Sequence, residues 1–311
     1  MERNNFTAVV EFILLGFYEL PKLQRLLFWI FLFIYLCIFL GNSLLIVITN
    51  IEPSLQTSMY FFLANFSFLE ICYTSVTIPR MLADLWTQKR TISLLQCAVQ
   101  ACFFYILGVA ECLLLAVMAY DRYVAICKPL YYALIMNHKL CVQLVVVSWI
   151  LGAPILMEQI YQIFSLNYCG SNKINHIFCD GPPLMKLACG DIYKIEISSY
   201  SLALLFIIIP FLLTLTSYVK IITTILKLPS NSGRSKAFST CSSHLMVVGL
   251  FYGTGSIMYL RPESSRSAKS DKILSLFYST VTPMFNPLIY SLRNKDVLAA
   301  LRKLLPKFLR S

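Results

Sequence analysis

Met118-Ala119-Tyr120-Asp121-Arg122-Tyr123-Val124-Ala125-Ile126-Cys127 follows a long apolar run and holds the first adjacent acid–base pair after it. An arginine is costly inside lipid, so this Asp-Arg-Tyr belongs at a membrane edge, among the headgroups. An arginine held by its neighbouring aspartate is a clasp that can be released, which suits a two-state helix bundle better than an active site. The plainer alternative is that Asp121 and Arg122 only mark where a helix leaves the bilayer, since charges gather at helix ends in membrane proteins. The rest of the chain decides between the two.

Of 311 residues, 58% are hydrophobic and only 13% charged, about half the charged share of a soluble domain, which is roughly 25%. Apolar stretches long enough to span a bilayer fall at residues 26–49, 58–79, 95–120, 141–160, 198–222, 238–260 and 273–292. The expected fold is an all-α membrane protein, a seven-transmembrane helix bundle with a short amphipathic C-terminal helix. It divides into an extracellular N-terminus (1–25), the bundle (26–292) and a cytoplasmic helix and tail (293–311). Seven crossings put the termini on opposite sides. The net charge of +11 does not indicate nucleic acid, because the basic residues lie between apolar spans rather than on one face. No repeat relates the halves of the chain, which weighs against transporters built by duplication. The first residues show no cleavable signal pattern. No nucleophile–base constellation and no Cys/His metal spacing stands out, so an enzyme is not expected.

Lys and Arg do not set the orientation, since the 26 basic residues divide evenly between the two faces. Asn5-Phe6-Thr7 is a glycosylation sequon in a short polar N-terminus, which argues for that end outside. A second match, Asn65-Phe66-Ser67, falls inside a span. Four of the 11 cysteines, Cys97, Cys169, Cys179 and Cys189, lie on the N-terminal side. An even number in an oxidising compartment reads as two disulfides, with three pairings open.

Polar residues inside the spans are functional candidates. Glu70 and Glu111 are the two acids placed within the bilayer, with no basic partner. They could bind a cation such as Na⁺, share a proton, or be protonated and hydrogen-bonded. Apart from that ion no cofactor is expected. Asn42 is expected to reach another helix, and Thr57 or Ser58 to cap the second span. Pro287 permits a kink whose freed backbone Asn286 can satisfy. His244 reads as packing. The segment from Gln162 to Glu196 holds three of the four outer cysteines and can fold as a lid. After residue 293 an amphipathic piece carries Val297, Leu298, Leu301 and Leu305 opposite Arg302 and Lys303, stopped by Pro306.

With these residues in place, the chain resembles a rhodopsin-like G-protein-coupled receptor, specifically a vertebrate olfactory receptor of the terrestrial-type branch. Asn42, Arg122, Trp149, Pro210 and Pro287, one each in five helices, fit the general receptor pattern. The olfactory likeness rests on Met59-Tyr60-Phe61-Phe62-Leu63, Met118 through Cys127, Ser217-Tyr218, Lys236 through Leu245 and Pro283 through Asn294. Three residues, in two places, depart from the family. Gln56-Thr57-Ser58 stands where His-Thr-Pro is usual, a change expected to affect only the helix start. Glu70 stands where Asp is usual, which alters any ion site shared with Glu111.

The resemblance implies disulfides Cys97–Cys179 and Cys169–Cys189 and a ligand cavity between the third, fifth, sixth and seventh helices. Its candidate lining is Phe104, Tyr105, Gly108, Val109, Leu202, Phe206, Tyr252, Gly255, Tyr259 and Ser279. That wall is apolar and aromatic with a few hydroxyls, suited to a small, volatile, mostly apolar molecule. An amine is disfavoured because Phe104 occupies the position where amine receptors carry an acid. A retinal Schiff base is excluded because no Lys lies between Ile273 and Leu292. The switch would comprise Asp121, Arg122, Tyr218, Asn286, Pro287 and Tyr290. Opening of the inner face would admit a heterotrimeric stimulatory G protein and raise cyclic AMP at the plasma membrane. The alternative is a non-olfactory chemoreceptor for a small metabolite on the same scaffold.

Overall fold

Long apolar segments have one way to satisfy their backbone in lipid, an α-helix with every hydrogen bond internal. The computed structural model describes residues 10–169, 171–227, 231–260, 267–292 and 294–308, and is dominated by such helices. In chain order they are α1 (Gln24–Ile51), α2 (Ser58–Thr87), α3 (Leu94–Cys127), α4 (His138–Ile150 and Ala153–Phe164), α5 (Tyr193–Leu226), α6 (Asn231–Tyr259) and α7, followed by α8 (Lys295–Phe308). Helix α7 comprises Ala268–Leu276, a π turn Phe277–Val281 and Thr282–Leu292. Helices α1 to α5 are long and apolar enough to cross a membrane on length and composition alone. The last two are more polar, with His244 and Thr254 in α6 and Ser275, Ser279, Thr280 and Thr282 in α7. Many of these groups are turned inward, as buried His244, Ser275 and Ser279 show.

Helix α3 is the central post and packs on α2, α4, α5 and α6. It starts with a capping box, in which Ser93 and Gln96 exchange side-chain-to-backbone hydrogen bonds. Its buried Leu114, Leu115 and Met118 join Phe62, Leu63 and Phe66 of α2 and Tyr290 of α7 in the largest core cluster. Both π turns sit just before prolines. A proline ring clashes with the carbonyl four residues earlier. For Pro210 that residue is Phe206, inside the π turn Leu204–Ile208, and for Pro283 it is Ser279, inside Phe277–Val281. The wider turn accommodates the clash and re-aims the side chains it carries.

Part of the N-terminal segment is folded, although the sequence reading assigned it no secondary structure. Strand β1 (Glu11–Leu14) lies between β2 (Thr91–Ser93) and β3 (Lys173–Ile174), antiparallel to the first and parallel to the second. Alternation sends Phe12 and Leu14 inward, where they are fully buried with Ile92, Ile174 and Leu184. Cys97 and Cys179 tie α3 to the long loop before α5, and Cys169 and Cys189 close that loop on itself. The loop thus forms a folded cap over one end of the bundle. His176 anchors it: the buried ring has Nδ1 3.0 Å from the Phe178 carbonyl and Nε2 2.8 Å from the Ser275 hydroxyl of α7.

Four other local expectations are corrected. Asn42 does not reach another helix; its amide donates to the Ile38 carbonyl one turn back at 3.0 Å. Asn286 serves Glu70 rather than the backbone freed by Pro287. Thr57 holds the N-cap position of α2 but makes no side-chain cap bond, and Ser58 points elsewhere, as described below. Pro306 does not end α8, which runs on to Phe308; so near the C-terminus a proline disturbs only the last turn. Helix α8 packs Val297 and Ala300 into the bundle, and Lys303 meets Glu52 of the α1–α2 loop at 2.9 Å. Asn5 lies outside the described residues.

Helices α3 and α4 approach closely at Gly152, where an added Cβ would fall 2.6 Å from Cγ1 of Val109. Valine is stiff at χ1 and cannot swing away freely. Gly152→Ala is therefore expected to destabilise the protein by about 1–3 kcal/mol, the usual cost of overpacking. Val109→Ala in the same chain should restore most of that loss, as read by the thermal midpoint of the purified protein. His176 makes the stability of the protein depend on pH. Burial lowers the pKa of this imidazole, against the opposing pull of Asp180 and Asp271. The unfolded chain binds the proton first, so stability is full above the ordinary histidine value of about 6.5 and falls as pH drops below it. His176→Gln should flatten that acid-side decline in the thermal midpoint between pH 7 and 5.

Candidate functional site

Beneath the cap, a cavity of about 160 Å³ opens between α3, α4, α5, α6 and α7. Its α3 wall carries Phe104, Tyr105, Gly108 and Val109, a face set by helical spacing. The π turn of α5 delivers Phe206 beside Leu202; α6 contributes Gly255 and Tyr259. These eight residues are all expected from the sequence. Two expected residues are not in the wall. Tyr252 lies deeper, where its hydroxyl donates to the Cys112 carbonyl at 2.6 Å, and Ser279 turns back to donate to the Ser275 carbonyl at 2.6 Å.

The cavity also has walls that the sequence reading did not include. Helix α4 supplies Leu156, Gln159, Ile160 and Ile163, and the cap supplies Gly181, Pro182 and Met185. The α4 residues stand at i, i+3, i+4 and i+7, one face of a helix, so their stripe was present in the sequence. The side on which that stripe packs was not. Tyr73 of α2 and Tyr278 of α7 complete an aromatic corner. Tyr73 stacks on Phe104 at 5.0 Å between ring centroids, and Tyr278 lies 5.8 Å from the same ring.

Several polar groups in the wall have partners. The Gln159 amide donates to Ser199 Oγ at 2.8 Å and its carbonyl oxygen accepts from Ser198 at 2.7 Å. The Tyr105 hydroxyl donates to the buried Asp180 carboxylate and accepts the Gly181 N–H at 3.0 Å. Tyr259 and Tyr278 hydroxyls meet at 3.2 Å. Lys186 and Glu196 are the charged members of the lining. The cavity thus offers apolar area and aromatic faces, with its hydrogen-bonding groups largely engaged.

Below the cavity, Glu70 of α2 and Glu111 of α3 are buried against each other. The Asn286 amide donates to one oxygen of Glu70. Glu70 Oε2 and both oxygens of Glu111 are buried with no donor from any other described residue, as is the hydroxyl of Ser67 one turn before Glu70. Three open carboxylate oxygens and a hydroxyl fit either a shared proton or one cation. Among the described residues no third acid, histidine or cysteine joins them.

At the far end of α3, Asp121 and Arg122 form the clasp read from the sequence, with Nη2 to Oδ2 at 2.9 Å. Asp121 is fully buried, and its other oxygen accepts hydrogen bonds from Ser58 of α2 at 2.7 Å and from Tyr132, between α3 and α4, at 3.0 Å. Tyr218 meets His244 Nδ1 at 2.7 Å, with the rings stacked. The Tyr290 hydroxyl is buried without a hydrogen-bond partner among the described residues, its ring edge-on to Phe66. His244, read from the sequence as packing, is therefore part of a polar contact between α5 and α6. No spacing in the sequence announced it.

Comparison with known proteins agrees with this architecture. The sequence profile of the olfactory receptor family matches residues 31–307. Human olfactory receptor 10AG1 is 57% identical over 300 residues, covering 96% of this chain and all of the relative. Human olfactory receptor 10A5 is 52% identical over 310 residues, covering 99% and 98% of the two chains, and human olfactory receptor 10A7 is 50% identical over 299, covering 96% and 95%. The chain belongs to the olfactory receptor family, multi-pass membrane proteins of the G-protein-coupled receptor class.

Proposed function

We propose that the cavity under the cap is the odorant site and that its occupant is a small, volatile, mostly apolar molecule. The observation that carries this reading is the lining itself: an aromatic and aliphatic wall whose polar groups are largely engaged with one another. Such a wall rewards removal of apolar surface from water and offers little to a strongly charged ligand.

The N-terminus and cap lie outside the cell in this reading. The sequon at Asn5 and the disulfide-bonded loop support that orientation, since disulfides persist in oxidising compartments. Asn5 then carries the glycan. Residues 26–292 form the receptor domain, and the end bearing Arg122 and α8 faces the cytoplasm.

The closed Asp121–Arg122 pair, with Tyr218 held by His244, corresponds to the silent state. An odorant acts by binding better to the state in which Arg122 leaves Asp121, with Tyr218 and Tyr290 turned toward it. Asn286 and Pro287 lie between cavity and clasp, where Asn286 links α7 to Glu70. The Glu70–Glu111 pair holds a Na⁺ ion or a shared proton on this path, and its charge state biases the two arrangements. The opened face accepts a stimulatory G protein, which raises cyclic AMP.

Arg122→Ala should abolish odorant-stimulated cyclic AMP while surface expression is retained; an undiminished response would remove Arg122 from the switch. The cavity itself is tested at Gly255, where an added Cβ meets nothing within 4 Å. Gly255→Val should fold and reach the surface, yet raise the half-maximal odorant concentration about tenfold, or ~1.4 kcal/mol, by occupying ligand space. An unchanged dose–response curve for every active odorant would place the ligand elsewhere.

A further inference from the structure

Ser58 is the first residue of α2, and its side chain does not serve the helix it begins. Its hydroxyl donates to Asp121 Oδ1 at 2.7 Å and meets the hydroxyl of Tyr132, which reaches the same oxygen at 3.0 Å. Arg122 holds the other oxygen at 2.9 Å. One fully buried carboxylate thus joins α2, α3 and the α3–α4 connection.

The geometry distinguishes what each contact can do. Asp121 and Arg122 are adjacent on one helix, so their pair travels with α3 and fastens it to nothing. Ser58 lies 63 residues away on a different helix. Any displacement of the end of α3 from α2 must break its bond. Donors on Oδ1 also fix the orientation of the carboxylate, which keeps Oδ2 aimed at Arg122.

We propose that Ser58 is a positioning residue of the switch: it fastens the Asp121–Arg122 clasp to α2 and so sets how silent the receptor is without ligand. The proposal rests on reading that clasp as the closed state. It also replaces the sequence expectation that Ser58 affects only the start of α2.

The first helical position accepts proline as readily as alanine, because its N–H has no intrahelical partner. The hydroxyl can therefore be removed in two ways that leave α2 intact. The experiment measures ligand-free cyclic AMP at matched surface levels for wild type, Ser58→Ala, Ser58→Pro, Ser58→Thr, Asp121→Asn and the Ser58→Ala/Asp121→Asn double variant. Nucleotide exchange on a panel of G proteins is read in parallel, so that coupling to another G protein is not taken for silence. Ser58→Ala and Ser58→Pro should raise basal output about threefold to tenfold, as expected when one of several hydrogen bonds to a charged group is lost. Ser58→Thr, which keeps the hydroxyl, should restore low output. The double variant should not exceed Asp121→Asn alone, because Ser58 acts through Asp121. Basal output at the wild-type level in both Ser58→Ala and Ser58→Pro, with Asp121→Asn raised, overturns the role of Ser58. If Asp121→Asn is also unmoved across the panel, the clasp itself is not the switch and the proposal falls with it. A double variant well above Asp121→Asn shows that Ser58 acts by another route and likewise overturns it.

Discussion

A carboxylate with no exposure to water stands only where donors surround it, because an unpaired buried charge costs several kcal/mol. Asp121 meets that condition with Arg122, Ser58 and Tyr132. Those donors come from α3 itself, from the start of α2 and from the turn after α3, so satisfying one side chain brings three segments together. The rest of this end of the bundle is arranged around that requirement. Tyr132 must be held beside α2, and α8 closes the neighbouring edge through Lys303 and Glu52 and through Val297 in the core.

The same demand for satisfied polar groups shapes the membrane interior. Prolines in α5 and α7 remove backbone donors and crowd the preceding turn, and both helices respond with a π turn. That adjustment sets where Phe206 projects and turns Ser279 back onto its own helix. The cavity wall is therefore a by-product of backbone accommodation as much as of side-chain choice. At Glu70 and Glu111 the demand is left open, with three oxygens lacking donors among the described residues. A site so placed between cavity and clasp can couple them by gaining or losing a single proton or ion.

The cap follows a different logic. Its strands are too short to be stable alone. They hold because Phe12 and Leu14 bury themselves with Ile174 and Leu184, and because Cys97–Cys179 fastens the loop to α3. The cap then roofs the cavity with Gly181, Pro182 and Met185, so the shape of the cavity and the folding of the loop are linked through the same residues.

The sequence by itself determined the helical bundle, the clasp and the acidic pair, and through its family resemblance pointed to eight residues of the wall on α3, α5 and α6. Lipid admits few backbone solutions, and a charge within an apolar run is conspicuous. Helical spacing also carried Phe104, Tyr105, Gly108 and Val109 onto one face. Only the tertiary structure decided which faces meet. The α4 stripe at Leu156, Gln159, Ile160 and Ile163 and the burial of Tyr73 depend on helix rotation and on the close approach at Gly152, which no local pattern encodes. Tyr252 and Ser279 left the wall because each found a nearer carbonyl. Ser58 is the clearest case: locally it is a helix start, and only folding brings Asp121, 63 residues away, within reach of its hydroxyl.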